Sequence, residues 1–190
     1  MCTRREYPID NFSGAVNFDS TKTVDANATK FVMGEFMTPG KAQMRKGTSI
    51  MIPIRMTWGT LDAPRQVKGT FIMPVGLKID SLAQNPDVQP NNFNKNNLRC
   101  MKTGTNKWQF LSVSNAPNYW KTTGTAPCFY LYVTATDEFT GGVITMTDLE
   151  TMTQKTGSSS HYNCADATCS VEAIILIIWR SQVQALAGPH

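Results

Sequence analysis

One stretch limits what this chain can fold into more than any other. From Thr48 to Trp58 the apolar residues Ile50, Ile52, Ile54, Met56 and Trp58 recur at every second position, with Met51, Pro53, Arg55 and Thr57 between them. Alternate side chains of a strand point to opposite faces, so a period of two marks a strand with one face buried. The pattern returns over Gln66–Val75, with Val67, Phe71, Met73 and Val75 on one side. It returns over Lys107–Val113, where Trp108 and Phe110 oppose Leu111 and Val113, and over Ala126–Thr136, where Phe129, Leu131, Val133 and Ala135 oppose Tyr130, Tyr132 and Thr134. Val143–Glu150 and Ser170–Arg180 read as two more strands, the last apolar enough to be buried on both faces. Lys30–Thr38 and Leu77–Leu82 are weaker candidates. Pro53 and Pro74 lack an N–H, which predicts an edge or a bulge at each.

No segment carries a helical period. Strands separated by turn residues, without crossover helices, predict an all-β antiparallel sandwich of jelly-roll type. A length of 190 residues suits one such domain. Residues 1–30 read as an N-terminal arm, 31–180 as the domain and 181–190 as a tail. Asn85–Asn97 reads as a long exposed loop, and Thr151–Thr168 as a polar one. The longest apolar run, Ala173–Trp179, is far short of the roughly 20 residues that span a bilayer, so no membrane contact is expected.

Chemistry is harder to place. The two histidines are His161, in a polar stretch, and His190, the last residue. No nucleophile motif or phosphate-binding glycine loop is present, and the adjacent carboxylates Asp137 and Glu138 point to opposite faces. The expectation is a chain with no catalytic residue, no cofactor and no metal. His161, Cys164, Asp166 and Cys169 bring possible ligands together, but at a spacing that matches no zinc pattern. Five cysteines, unevenly spaced, argue against a disulfide framework and for a reducing compartment. The net charge of +4 permits contact with nucleic acid without requiring it.

The order of elements resembles that of viral coat-protein jelly rolls. Lys46-Gly47-Thr48-Ser49-Ile50-Met51-Ile52 is similar to the early core strands of picorna-like coats, and Asn106–Val113 with Ala126–Thr136 to their late pair. The nearest likeness is to the small coat proteins of the plant secovirus group, over about residues 46–150. That resemblance implies a structural subunit of an icosahedral virion, made in the host cytoplasm. Its partners would be copies of itself, sister coat proteins and genomic single-stranded RNA, touched without sequence readout by Arg4, Arg5, Lys22 and Lys30. The alternative reading is a carbohydrate-binding or adhesin-like β-sandwich, for which Tyr119 and Trp120 are the loop aromatics to contact a ligand.

Overall fold

The structure, a computed structural model, describes residues 23–58, 63–88, 98–113, 126–155 and 158–174. The described residues form eleven strands and no helix: β1 (Lys30–Met33), β2 (Lys41–Met44), β3 (Ser49–Thr57), β4 (Gln66–Ile72), β5 (Leu77–Gln84), β6 (Leu98–Gly104), β7 (Lys107–Val113), β8 (Phe129–Ala135), β9 (Gly142–Lys155), β10 (Ser158–Asn163) and β11 (Ala167–Ala173). They build two sheets. One has four strands in the order β1-β3-β8-β5; the other has seven, in the order β2-β11-β9-β4-β7-β6 with β10 also on β9. The all-β sandwich expected from the period of two is therefore the architecture. All pairings are antiparallel except β2 with β11, which is parallel.

The core draws largely on residues the alternation singled out, with Ile144 and Met146 added from β9. Ile52, Ile54, Met56, Phe129, Leu131 and Val133 come from one sheet, and Val67, Phe71, Phe110, Ile144 and Met146 from the other, all buried. The Phe71 and Phe110 rings stack at 4.9 Å between centroids, and Phe110 meets Phe129 edge-on across the two sheets at 6.2 Å. These contacts close the sandwich at its centre.

Pro53 is not on an edge strand, because β3 lies between β1 and β8. The proline is tolerated because β1 pairs only with Ile54–Thr57. Its missing N–H points to the side where β1 has already turned away, and its carbonyl accepts the Gly34 N–H at 3.1 Å. β4 stops at Ile72, short of Pro74, and leaves Val75 66% exposed in the turn. Three strands lie where the alternation gave no strand. β2 falls in the basic stretch at Lys41, where Ala42 and Met44 turn inward between exposed Lys41 and Gln43. β6 begins at Leu98, and β10 lies in the stretch expected to be a polar loop. Of the stretch expected to be a long exposed loop from Asn85, residues 89–97 lie outside the described residues, and Asn85 and Val88 before them are buried. The described part of the last strand is buried on one face only, through Ala167, Cys169 and Val171.

β9 is the longest strand and changes phase midway. Ile144 and Met146 point inward, then Leu149, Thr151 and Thr153 do. The register against β4 explains the switch: Thr70 faces Thr147 and Lys68 faces Glu150, so Asp148 and Leu149 together oppose Gly69. Asp148 takes the extra residue at φ 53°. This is a β-bulge. It needs glycine opposite, because a Cβ at Gly69 would lie 2.7 Å from Leu149 Cδ2 and 2.8 Å from Phe110 Cε1. After the bulge, β9 changes partners along one edge. Its first half pairs with β11 and its second half with β10.

Candidate docking face

The outer face of the seven-stranded sheet is laid out in rows by its registers. One row runs Val113, Gln66, Met152, His161 across β7, β4, β9 and β10. The next runs Arg99, Leu111, Lys68, Glu150, Asn163. A third runs Met101, Gln109, Thr70, Thr147. Five adjacent strands thus present a continuous surface in which Met101, Leu111, Val113 and Met152, all half-buried, alternate with amides, hydroxyls and a few charges.

At its middle sits an ion network that the bulge creates. With unbroken alternation Glu150 would share the inward face of Ile144 and Met146. The inserted residue turns it outward, beside Lys68. Lys68 Nζ lies 3.1 Å from Glu150 Oε2, and His161 Nδ1 lies 2.8 Å from Glu150 Oε1. Glu150 is buried among its neighbours. That burial alone would raise its pKa, but the hydrogen bonds from His161 and Lys68, with their charge, outweigh it and hold the carboxyl below its usual range. β10 is fastened from its other end as well. The Asn163 N–H donates to Asp25 Oδ2 at 2.8 Å, and the Asp25 N–H donates to the Asn163 carbonyl at 2.9 Å.

The sequence-predicted residues distribute as follows. His161, read as a loop histidine, is in a strand and paired with Glu150. It faces away from Cys164 and Cys169, which are buried, so the local group of possible ligands is split between the two sides of the sheet. Among the described residues no three His, Cys, Asp or Glu side chains gather as a metal site. Cys100, Cys128, Cys164 and Cys169 are free thiols. Burial pushes Cys100 and Cys128 up to about 12, and Cys164 and Cys169 up to about 11. Lys30 is exposed at the start of β1, opposite Thr57. Arg4, Arg5, Lys22, Tyr119 and Trp120 lie outside the described residues. Lys68 and Glu150 were not singled out from the sequence. The signal that finds them is the break in phase between Met146 and Leu149.

No family model matches the chain, and no curated protein matches it. Solved structures do. The seventh ScaB type I cohesin from Pseudobacteroides cellulosolvens matches with a TM-score of 0.59 at 13% identity, over 79% of this chain and 96% of that one. The cohesin module of a family 33 glycoside hydrolase from Clostridium perfringens matches at 0.57 and 8% identity, over 78% and 100%. The OlpA cohesin from Clostridium thermocellum, solved as a cohesin–dockerin complex, matches at 0.55 and 11% identity, over 76% and 99%. At these identities the likeness is one of fold.

These matches overturn the viral reading. The sandwich is of the cohesin kind and not of the secovirus coat kind. The jelly-roll-like β-sandwich expected from the sequence stands, while its assignment to a viral coat does not. With the coat-protein assignment go the icosahedral virion, the sister coat subunits, the genomic RNA and the host-cytoplasm origin.

Proposed function

We propose that this chain is a non-catalytic module that binds a partner protein on the outer face of its seven-stranded sheet. The observation that carries the reading is the make-up of that face. Half-buried Met101, Leu111, Val113 and Met152 supply apolar contact, Gln66, Gln109 and Thr147 supply hydrogen bonds, and the Lys68–Glu150–His161 network fixes the centre before any partner arrives. Side chains ordered in advance lower the entropy cost of association. Five strands about 4.8 Å apart and about seven residues long span on the order of 550 Å² before side-chain relief. That is the scale of the roughly 800 Å² each partner contributes to a standard interface.

Two further features favour a protein partner without chemistry. Among the described residues β4, β6, β7, β9 and β10 bring no Phe, Tyr or Trp to this face, since Phe71, Trp108 and Phe110 turn inward and Tyr162 pairs with Thr151 on the inner side. A stacking platform for sugars is therefore not what the face offers. The titratable groups at its centre are engaged with one another, and the described thiols face the core. Several of the similar cohesins were solved with dockerins, so a dockerin module is the first partner to try.

The test is isothermal titration calorimetry of the chain against a panel of dockerin modules, with Leu111→Asp and Met152→Asp beside the parent. The expected result is saturable binding that each aspartate weakens by about tenfold or more, with an unchanged circular dichroism spectrum. Absence of binding across the panel, or binding indifferent to both substitutions, would overturn the proposal.

A further inference from the structure

Of the three side chains in the ion network, His161 is the one open to a partner. It is 48% exposed, against 12% for Lys68 and 11% for Glu150. Its backbone is held from both sides. β10 pairs with β9, which sets His161 opposite Met152, and Asn163, two residues on, is tied to Asp25. Its ring is held by the 2.8 Å contact between Nδ1 and Glu150 Oε1. The imidazole is thus presented to the outer face in one orientation.

The partner of Nδ1 decides which ring nitrogen carries the hydrogen. Burial alone would raise the pKa of Glu150, but the hydrogen bonds from His161 and Lys68, with their charge, hold it below the usual carboxylate range. The carboxyl is therefore ionised at neutral pH, and an ionised carboxylate only accepts hydrogen bonds. The hydrogen in the 2.8 Å contact belongs to Nδ1. A neutral imidazole has one N–H, so Nε2 keeps its lone pair. Among the described residues the ring makes its one hydrogen bond through Nδ1, and no donor meets Nε2.

Given the docking reading above, on which this rests, we infer that His161 Nε2 is a hydrogen-bond acceptor on the docking face and that the partner meets it with an uncharged donor, a Ser or Thr hydroxyl or an Asn or Gln amide. A partner carboxylate does not fit, because it has no hydrogen to give and would have to bind together with a proton. An ammonium or guanidinium does not fit either. Both oxygens of Glu150 are engaged, Asp25 is tied to the Asn163 N–H, and the Lys68 cation stands on the same carboxylate. The other members of the His161 row, Val113, Gln66 and Met152, carry no charge to replace the water that a cation would lose. A hydroxyl or an amide loses less, and a site built to hydrogen-bond such a group rejects a partner that lacks it.

Long-range 1H–15N correlation NMR of the 15N-labelled chain at pH 8 reads the ring directly, with His161→Asn identifying its signals. The expected spectrum has Nδ1 protonated and Nε2 bare, and Glu150→Leu removes that preference. A hydrogen on Nε2, alone or together with one on Nδ1, would overturn the inference and leave the docking face standing. Calorimetric titration with the tightest-binding dockerin module of the panel then tests the contact. His161→Asn keeps a side-chain N–H for Glu150 but has no acceptor as far out as Nε2. It is expected to bind about fivefold more weakly, the worth of about one hydrogen bond, at an unchanged urea midpoint. An affinity equal to the parent's overturns the inference. Parent and His161→Asn are also expected to show the same difference in binding enthalpy between phosphate and Tris buffers, because an uncharged donor supplies its own hydrogen. A larger difference for the parent would mean that the ring takes up a proton to meet an acidic partner, and overturns it too. Failure of every dockerin to bind defeats the docking reading itself, and the donor assignment with it.

Discussion

Replacing Glu150 with Leu removes the carboxylate that pairs with Lys68 and His161 on the outer face of the seven-stranded sheet. The Lys68 side chain is 12% exposed and its ammonium sits 3.1 Å from Glu150 Oε2, so loss of the carboxylate leaves a charge with little water around it. His161, at 48% exposure, turns to solvent at small cost. Breaking a buried pair from one side costs about 3–5 kcal/mol, and the flexible lysine stem sets this case at the lower end, about 3 kcal/mol. With a urea m-value of about 1.5 kcal/mol/M, the unfolding midpoint falls by about 2 M. The double variant Lys68→Met with Glu150→Leu removes the poorly hydrated ammonium as well and recovers to within about 1 kcal/mol of the parent. Urea titration followed by tryptophan fluorescence measures all three proteins. A single-variant loss below about 1 kcal/mol, or a double variant no more stable than the single one, would refute the reasoning.

The same carboxylate sets a pH dependence. Its folded pKa is depressed, so the folded chain takes up this proton less readily than the unfolded one. Its contribution is fully present above the unfolded carboxyl value of about 4.3 and is lost as pH falls through the lower folded value. The advantage of the parent over Glu150→Gln therefore holds at about pH 6 and shrinks below about pH 4, as read from urea midpoints at each pH; an advantage that grows on acidification would contradict it. The thiols of Cys100, Cys128, Cys164 and Cys169 resist iodoacetamide at pH 8 in the folded chain and react after denaturation, as mapped by peptide mass spectrometry. Gly69→Ala destabilises by about 1–3 kcal/mol, since its methyl meets both Leu149 and Phe110; a neutral outcome in thermal unfolding would show that the bulge relaxes. Phe110→Ala, which removes the ring between Phe71 and Phe129, costs about 3–5 kcal/mol in the same assay.

Where a strand buries one face, its sequence announces it. Lys107–Val113 has the bounds and the facing that alternation predicts, and Phe129, Leu131, Val133 and Ala135 all point inward. Strands that owe their existence to a partner are silent. Ser158–Asn163 is polar throughout and becomes a strand because the second half of β9 offers it an edge. Lys41–Met44 is four residues long and is held parallel to a strand some 130 positions away, at Ser170–Ala173. Alternation also cannot tell a coat-protein jelly roll from a cohesin-like sandwich, because both stack two sheets of half-buried strands. Likeness of the whole fold separates them, and a fold is made of pairings between distant residues. The candidate face was partly legible. Leu111, Val113 and Met152 stand at outward positions once strands are assigned, while the meeting of Lys68, Glu150 and His161 depends on the extra residue at Asp148.

Hydrogen–deuterium exchange of the chain with and without a bound dockerin module tests the central claim most directly. The account predicts added protection on β4, β6, β7 and β9, centred on Lys68, Leu111 and Glu150, with β3 and β8 unchanged. Protection confined to the four-stranded sheet, or no change anywhere on binding, would contradict it.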